Sequence, residues 1–335
     1  MPGDQAIPPL PPMSLSAAPL PAAGMETRLR RLAFTALGTN CEVRFHAPDA
    51  AVAERFAREA RAWVGNFEAR YSRFRPASLL SRINASAGSG TWIGVDAEME
   101  AMLDVCQATH QLTGGILDAT AGPLLKLWDY KIAHHSLPDP ARIAATRALV
   151  GWGLVERRPG AVRLPRAGMA LDFGGWGKEW AVDAVAALAG QLGVREALID
   201  FGHDIRGLGR PPGRPAWHVG LEDPDRPGSH HGSIAVHGGR GVASSGDYRR
   251  HFTLQGRRYG HIVDPRTGWP TAHEVRQVTV IADTCFQAGL LSTTAFILGP
   301  AAGRDFIARF PGAEGVIVTT TGRIQTKGFW SHVVT

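Results

Sequence analysis

ASSGDYRRHFTLQGRRYGHIVDPRTGWP, residues 243–270, combines hydroxyl side chains, glycines, a histidine and an Asp-Pro pair in one hairpin-like unit. Polar residues at this density are typical of a segment that faces a ligand. The beginning of the unit, residues 241–246, is small enough for backbone N–H groups to approach an anion closely. The alternative is an ordinary surface hairpin, with turn residues at Pro265, Thr267 and Gly268. This segment alone leaves both interpretations open.

Residues 261–265, HIVDP, predict a short strand that ends in a turn. On such a strand His261 and Val263 would share one face, and Ile262 and Asp264 would share the other. We therefore expect the histidine and the carboxylate to lie on opposite faces.

Residues 171–183, LDFGGWGKEWAVD, form a second candidate anion site. Gly174 and Gly175 let the backbone come close to a ligand, the helix N-terminus beyond them favours negative charge, and Lys178 adds a cation. The segment has the physical features of a phosphate site without a Walker A or GxGxxG pattern. In the alternative interpretation, the glycines only allow tight packing and Lys178 is a solvated side chain.

Composition indicates a soluble globular protein. The chain has 335 residues, of which 44% are hydrophobic and 20% charged, enough for one large or two modest domains. No segment approaches the roughly 18 apolar residues that a membrane span needs. Residues 1–23 have no basic region before an apolar stretch, so they do not resemble a secretory signal. We expect residues 1–28 to be a disordered tail, with Met25 as an alternative start, and the protein to be cytoplasmic without a membrane anchor.

Cysteine and charge patterns narrow the function classes. The three cysteines are widely spaced, which argues against a disulfide framework and against a CxxC metal site. The net charge of +6 is spread along the chain, and aromatic residues do not interleave with the basic runs. A single-stranded nucleic-acid platform would show that interleaving, so we expect no nucleic-acid partner. The charge fits a small anionic ligand.

Periodicity predicts both strands and helices in an irregular order. A helix beginning after Pro48-Asp49 carries an apolar stripe that includes Val52, Phe56, Trp63, Phe67 and Tyr71. A second helix should begin at about Asp96 and stop at Gly114. The other expected elements are a strand at 34–47, a strand, glycine turn and helix over 169–192, strands at 197–201, 217–221, 233–237 and 276–282, helices at 287–298 and 301–310, and a hairpin at 316–325. The order indicates an α+β fold.

Four segments resemble, in the same order, the motifs of the ApbE family. Residues 171–183 resemble its LDLGGIAKGYAVD motif, and residues 198–206, LIDFGHDIR, resemble its NxGGDIR. Residues 243–270 resemble TSGxYxRxF followed by HHIIDPxTGxP, and residues 282–299 resemble a terminal A-D-A-L-S-T-A-x-F-x-L-G helix. With weaker upstream matches, the resemblance spans about residues 34–299. It implies an α+β, T-fold-related architecture of mixed sheets and packed helices with one flavin-binding cleft, in a domain over residues 29–335.

The family consists of FAD:protein FMN transferases, so the resemblance also implies an activity. Such an enzyme depends on Mg²⁺, cleaves FAD, attaches FMN through a phosphoester to a threonine or serine of a partner flavoprotein, and releases AMP. The partners would be FAD and that flavoprotein. The oligomeric state is left open, with a homodimer as one alternative.

The resemblance also assigns site residues. Catalytic roles fall to Lys178, His261 and Asp264, with His261 either contacting flavin or phosphate or acting as the base for the incoming hydroxyl. The backbone carbonyl of Gly175 and the hydroxyl of Thr293 would bind the metal. The residues around FAD would be Gly174, Gly175, Asp183, Asp204, Ser244, Ser245, Gly246, Asp247 and His261.

Several positions depart from the family pattern. Gly289 stands where the family has the metal-binding Asp, and Glu179 stands where it has a Gly. Mg²⁺ prefers carboxylate oxygens, so the sequence raises the question of what replaces this ligand. The candidates are Asp200, Asp204, Glu179 and Asp283, or the FAD phosphates themselves. The alternative is an FAD-binding protein without transferase activity.

Trp176 is a further open position. It either packs on the isoalloxazine ring or fills the core.

Overall fold

A computed structural model describes residues 28–226 and 228–334. The predicted disordered tail therefore lies, apart from Arg28, outside the described residues and stays a prediction. Among the described residues, no helix is both long enough and apolar enough to cross a membrane.

The described residues form eight α-helices and a larger number of short strands. The helices are α1 (Ala50–Tyr71), α2 (Leu79–Ala85), α3 (Ala97–Thr113), α4 (Gly122–Leu127), α5 (Pro140–Arg147), α6 (Gly177–Gln191), α7 (Cys285–Leu298) and α8 (Pro300–Ile307). Short 3-10 helices cover Ala119–Ala121, Trp152–Leu154 and Phe329–His332.

The strands, in chain order, are β1 (Arg30–Ala36), β2 (Thr39–His46), β3 (Ile93–Gly94), β4 (Glu156–Arg158), β5 (Ala161–Arg163), β6 (Glu196–Phe201), β7 (Ile205–Leu208), β8 (Trp217–Glu222), β9 (His230–Val236), β10 (Gly241–Gly246), β11 (His251–Leu254), β12 (Arg257–Gly260), β13 (Val263–Asp264), β14 (Trp269–Pro270), β15 (Val275–Ala282), β16 (Glu314–Thr319), β17 (Arg323–Gln325) and β18 (Val333–Val334).

One eight-stranded sheet organises the chain, in the order β1-β2-β6-β7-β10-β15-β16-β17. Two three-stranded sheets, β18-β9-β8 and β3-β5-β4, and two hairpins accompany it. Every ladder in the described part of the chain is antiparallel, so the pairing is more uniform than the expected mixed sheets. Helices with antiparallel sheets confirm the α+β class.

The main helices form where the sequence predicts them. The Asp49 side chain caps α1 by accepting from the Val52 N–H at 2.8 Å, and the buried residues of α1 recur every three or four positions. Helix α3 begins after the cap Asp96 and ends at Gly114, which adopts the left-handed conformation. Helix α7 is apolar on nearly all sides because it packs against both β10 and β15 of the sheet and against α6.

The single strand predicted at 34–47 is wrong, because the structure has the hairpin of β1 and β2 there. Leu37 and Gly38 form its turn, with φ of 54° and 70°. A leucine rarely adopts positive φ, so the sequence carries no strong turn signal. The Leu37 N–H donates to Glu68 Oε1 at 2.8 Å, which helps to hold this conformation.

The strand predicted at the start of residues 169–192 is also wrong. Residues 169–173 are described, yet they pair with no strand. The Asn84 side chain takes the place of a neighbouring strand: its Nδ2 donates to the Leu171 carbonyl at 2.9 Å, and the Leu171 N–H donates to its Oδ1 at 2.7 Å. The Asp172 N–H donates to the Ala119 carbonyl at 2.7 Å. These bonds fix the segment that leads into the glycine turn before α6.

Residues 243–270 form three units rather than one hairpin. The start belongs to β10 in the main sheet, while β11 pairs with β12 and β13 pairs with β14. His261 lies between two strands, so the predicted alternation of faces over 261–265 does not apply. Its backbone N–H donates to the Arg250 carbonyl at 3.0 Å. This bond holds His261 against the end of the loop that follows β10.

Candidate functional site

The motif segments identified in the sequence meet in one cleft of about 700 Å³. This volume is in the range of small-molecule sites. Its walls come from the glycine turn and first turn of α6, the β6–β7 turn, β10, the segment before β13, and α7. The expected site residues that line it are Gly174, Gly175, Lys178, Asp204, Ser244, Ser245, Gly246, His261 and Thr293.

Lys178 supplies a partly buried cation at the N-terminus of α6. Its Nζ forms an ion pair with the Asp204 carboxylate, and the two side chains are 22% and 4% exposed. Burial alone would lower the pKa of Lys178, but the charges of Asp204 and Glu179 outweigh burial and raise that pKa. Lys178 therefore stays protonated at neutral pH, and together with the helix N-terminus it favours an anion.

The glycine turn before Lys178 is shaped by Asp172. Its Oδ1 accepts from the Gly174 N–H at 2.7 Å, and its Oδ2 forms an ion pair with Arg73 at 2.7 Å. A Cβ on Gly174 would lie 2.9 Å from Asp172 Oδ1, whereas a Cβ on Gly175 would meet nothing within 4 Å. The space beside Gly175 is therefore open to the cleft.

His261 is set up as a neutral imidazole. Burial and then the charge of Arg250 lower the pKa of His261 to about 4. Its Nδ1 lies 3.2 Å from the Arg250 carbonyl oxygen, which can only accept, so this bond places the proton on Nδ1. Nε2 then keeps a lone pair, as a general base requires.

Hydroxyl groups join β10 to α7 at the floor of the cleft. Ser245 Oγ lies 2.8 Å from Thr293 Oγ1 and 2.9 Å from Ser292 Oγ. Ser244 Oγ lies 2.8 Å from Thr279 Oγ1 on the neighbouring strand. Thr293 is thus fixed in position, with an oxygen that can also face a ligand.

Glu179, next to Lys178, has a buried carboxyl group that lines the same cleft. The residue is 7% exposed, and its Oε2 has no hydrogen-bond partner among the described residues. Burial and the charge of Asp204 raise the pKa of Glu179 to about 8. A Cβ built on Gly289 would lie 2.6 Å from Glu179 Cγ, so the Glu179 side chain fills the space above Gly289.

The other three candidates for a replacement carboxylate already form ion pairs or hydrogen bonds, and one of them lies outside the cleft. Asp204 pairs with Lys178. Asp200 lines the cleft and accepts from the His203 N–H at 2.8 Å. Asp283 pairs with Arg240 at 3.3 Å and does not line the cleft.

Asp183 lies beneath the cleft rather than in its wall. Its carboxylate accepts from the N–H groups of Cys285 and Phe286 at 3.0 and 2.8 Å and forms an ion pair with Arg206 at 2.7 Å. It therefore binds the free N–H groups at the start of α7 and fixes that helix against α6.

Asp247 and Asp264 also lie outside the cleft lining. Asp247 forms an ion pair with Arg258 at 2.9 Å. Asp264 pairs with Arg266 at 2.8 Å, and its Oδ1 accepts from the Arg266 N–H at 2.9 Å, which shapes the turn between β13 and β14. In this structure both carboxylates hold the loops that carry cleft residues.

Trp176 and Arg250 also line the cleft. Trp176 is 4% exposed and packs against Phe173 and Trp180, with ring centroids 5.0 and 5.7 Å apart, so most of its surface is buried in the core even though it lines the cleft. Arg250 lines the cleft, is exposed, and has no acidic partner in the described part of the chain. Sequence reasoning missed Arg250, although its place in the TSGxYxRxF-like segment was a usable signal.

The oxygen atoms of the cleft suit a hard cation. No group of three or more His, Cys, Asp or Glu residues among those described could hold a metal ion. Mg²⁺ does not need such a group, because it commonly takes one or two carboxylates together with substrate phosphates. The Gly175 carbonyl, the Thr293 hydroxyl and the unpartnered Glu179 oxygen are of the type that Mg²⁺ prefers.

Comparison with known proteins places the chain in a family. Residues 37–317 match the model of the ApbE family. A Haemophilus influenzae protein named FAD:protein FMN transferase is 29% identical, with 92% of each chain covered. The crystal structure of the ApbE protein from Thermotoga maritima has a TM-score of 0.82 at 28% identity, covering 92% of this chain and 100% of that one. The apo flavinyl transferase ApbE from Pseudomonas stutzeri has a TM-score of 0.80 at 27% identity, covering 91% and 96%. The chain therefore belongs to the ApbE family and is a transferase.

Proposed function

We propose that the protein is a Mg²⁺-dependent FAD:protein FMN transferase that attaches FMN to a threonine or serine of a target flavoprotein and releases AMP. The observation that carries this proposal is the pairing, in one cleft, of the partly buried cation Lys178 with the neutral imidazole of His261. The cation can bind and stabilise a diphosphate, and the neutral imidazole can accept the proton of an attacking hydroxyl. The names of the related proteins support the same substrate pair.

The cleft residues divide the chemistry between them. Lys178 and the N–H groups at the start of α6 would hold the diphosphate and stabilise charge that develops on its oxygens. The acceptor hydroxyl oxygen attacks the phosphorus on the FMN side, the bond from that phosphorus to the AMP oxygen breaks, and the hydroxyl proton passes to His261 Nε2. When bound, Mg²⁺ neutralises phosphate charge, and the residues present to hold it are Gly175, Thr293 and Glu179.

The remaining assigned residues would support this site indirectly. We propose that Asp183, Asp247 and Asp264 keep α7 and the two hairpin loops in place, because each carboxylate is engaged in an ion pair outside the cleft lining. The assignment of residues 29–335 to one transferase domain and the cytoplasmic location are part of the same proposal.

The alternative, an FAD-binding protein without transferase activity, rests on Gly289, which has no carboxylate for a metal. The position of Glu179 over Gly289 weakens that argument, because a carboxylate is present in the same space. Both functions predict FAD binding, and only the transferase predicts AMP release.

The test is AMP release from FAD by the purified protein with Mg²⁺ and a threonine-containing acceptor peptide. We expect the wild type to release AMP, and Lys178→Met and His261→Asn to lose at least about 100-fold in rate, the size of a typical general acid–base contribution. Lys327→Met removes an exposed lysine and serves as the matched control. FAD binding by the wild type without AMP release would support the alternative function.

A further inference from the structure

Glu179 and Gly289 compete for one volume. A Cβ on Gly289 would lie 2.6 Å from Glu179 Cγ, 2.8 Å from its Oε1 and 3.0 Å from its Cδ. Distances under 3.0 Å do not occur for real Cβ atoms without a shift of the neighbour. One long side chain on α6 therefore occupies the room that a side chain on α7 would otherwise take.

This volume lies beside Thr293. Gly289 and Thr293 are four residues apart on α7, so they lie on the same face of the helix, one turn from each other. Because Glu179 Oε1 sits over Gly289, the carboxylate is brought next to the turn that carries the Thr293 hydroxyl. Both Glu179 and Thr293 line the cleft.

The Glu179 carboxyl group has spare ligand capacity. It is 7% exposed, and its Oε2 has no hydrogen-bond partner among the described residues. Its acidic neighbours Asp204 and Asp183 form ion pairs with Lys178 and Arg206. A buried carboxyl oxygen without a partner is unfavourable unless a cation or a donor reaches it.

A purely structural role is the competing explanation. Glu179 lies in the first turn of α6, where a carboxylate interacts favourably with the helix dipole. That interaction needs neither burial nor a free oxygen that faces a ligand cleft. If Glu179 acts only on the helix dipole, removal of its charge should lower the stability of the fold. If its carboxyl group is simply buried without a partner, removal of the charge should not lower stability.

We propose that Glu179 is the carboxylate ligand of the bound Mg²⁺ in this chain, presented from α6 in place of a side chain at residue 289 on α7. The inference rests on the proposed function, which requires the ion. It makes the residues at 179 and 289 a linked pair, in which a carboxylate at one position requires a glycine at the other. Adding an aspartate at 289 while Glu179 remains should therefore not improve the site.

The test measures binding of Mn²⁺, as a probe for Mg²⁺, from the EPR signal of the free ion in the presence of FAD. The proteins are the wild type, Glu179→Gln, Gly289→Asp and the swap Glu179→Gly/Gly289→Asp. We expect Glu179→Gln to weaken binding by about tenfold or more, because even outer partners of metal ligands contribute that much. Gly289→Asp alone should bind no better than the wild type, and the swap should recover most of the affinity.

FAD binding and melting temperature without metal show that each variant is folded. Glu179→Gln is nearly isosteric, so we expect its melting temperature to be unchanged or higher, and a clear decrease would favour the helix-dipole role. Wild-type affinity for Mn²⁺ in Glu179→Gln would overturn the inference and would mean that the FAD phosphates carry the ion. No Mn²⁺ binding by the wild type would overturn it as well.

The inference and the proposed function fail in different ways. Mn²⁺ binding that depends on Glu179, without AMP release by the wild type, would support the metal ligand and contradict the transferase. AMP release with the same Mg²⁺ dependence in the wild type and in Glu179→Gln would support the transferase and contradict the ligand.

Discussion

The side chain of Glu179 occupies the space over Gly289, where a Cβ would lie 2.6 Å from Glu179 Cγ. The two residues belong to α6 and α7, which pack against each other. Each one departs from the family pattern when it is considered separately. Considered together, the two departures are complementary in size, because a glycine makes room for a glutamate.

A methyl group at 289 should therefore conflict with Glu179. We expect Gly289→Ala to lower the free energy of unfolding by about 1–3 kcal/mol, the usual range for overpacking. In the background Glu179→Ala the same change should be neutral or stabilising by up to about 1 kcal/mol, because the conflicting atoms are gone and alanine is the better helix former. Urea unfolding of the wild type, Gly289→Ala, Glu179→Ala and the double variant measures the coupling energy between the two positions.

Gly65→Ala is the control for that cycle. Gly65 lies on the exposed side of α1, and a Cβ there would meet nothing within 4 Å. Since alanine is the better helix former, this change should stabilise the protein by up to about 1 kcal/mol. Equal effects of alanine at 65 and 289 would contradict the close contact with Glu179.

Asp183 should be a major contributor to stability. Asp183→Asn leaves Arg206 without its partner and weakens the bonds to the first N–H groups of α7. We expect a loss of about 3–5 kcal/mol, as for other buried pairs that lose one member. Asp305→Asn, which breaks an exposed pair with Arg304, should change stability by less than about 1 kcal/mol. A similar small effect at Asp183 would show that it does not hold α7.

Asn84 should link α2 to the cleft through the backbone of Leu171. Asn84→Ala removes both bonds to the Leu171 backbone, which leads into the glycine turn. We expect a loss of about 1–3 kcal/mol in stability from the unsatisfied backbone groups, and weaker FAD binding. Asn66→Ala on the exposed side of α1 is the control. Unchanged FAD affinity in Asn84→Ala would mean that the turn does not need this support.

The pH dependence of transfer should report His261. Because burial and Arg250 lower the pKa of His261 to about 4, the imidazole stays neutral until the pH approaches 4. With Mg²⁺ saturating, so that Glu179 is held ionised, the acid limb of kcat/KM should therefore fall near pH 4, not near 6.5. Arg250→Ala removes the charge and should move this limb to higher pH. An acid limb near 6.5 in the wild type would contradict the lowered pKa of His261.

The same shift has a consequence for stability. His261 has a lower pKa in the folded than in the unfolded protein, so between about pH 6.5 and 4 the unfolded chain binds more protons. Its contribution should therefore destabilise the fold as the pH decreases through this range. His261→Asn should reduce that dependence in urea unfolding at pH 7 and pH 5, and an unchanged difference would count against the low pKa.

Sequence reasoning predicted the parts of the fold that local patterns specify. The apolar stripe after Asp49 predicted α1, the caps Asp96 and Gly114 predicted α3, and the helix expected at 287–298 corresponds to α7. It failed where distant groups decide the conformation. Leu37 adopts positive φ in a turn, and Leu171 bonds to the side chain of Asn84 instead of a strand.

In the candidate site, too, local motifs predicted some features and contacts between distant segments decided the rest. Motif order was enough to bring Lys178, His261 and Thr293 into one cleft. Glu179 was one of four candidates for a carboxylate, because the sequence does not show that α6 and α7 are neighbours. Its unpartnered oxygen in the cleft and its short distance to Gly289 separate it from the others.

The most direct test of the account is mass spectrometry of the acceptor peptide after incubation with FAD, Mg²⁺ and the wild-type protein, in which residue 289 is still glycine. The account predicts that the peptide gains one FMN on its threonine and that Glu179→Gln largely abolishes this product. An unmodified peptide from a wild-type protein that binds FAD, together with modification by the Glu179→Gly/Gly289→Asp swap, would show that Glu179 does not replace the missing carboxylate.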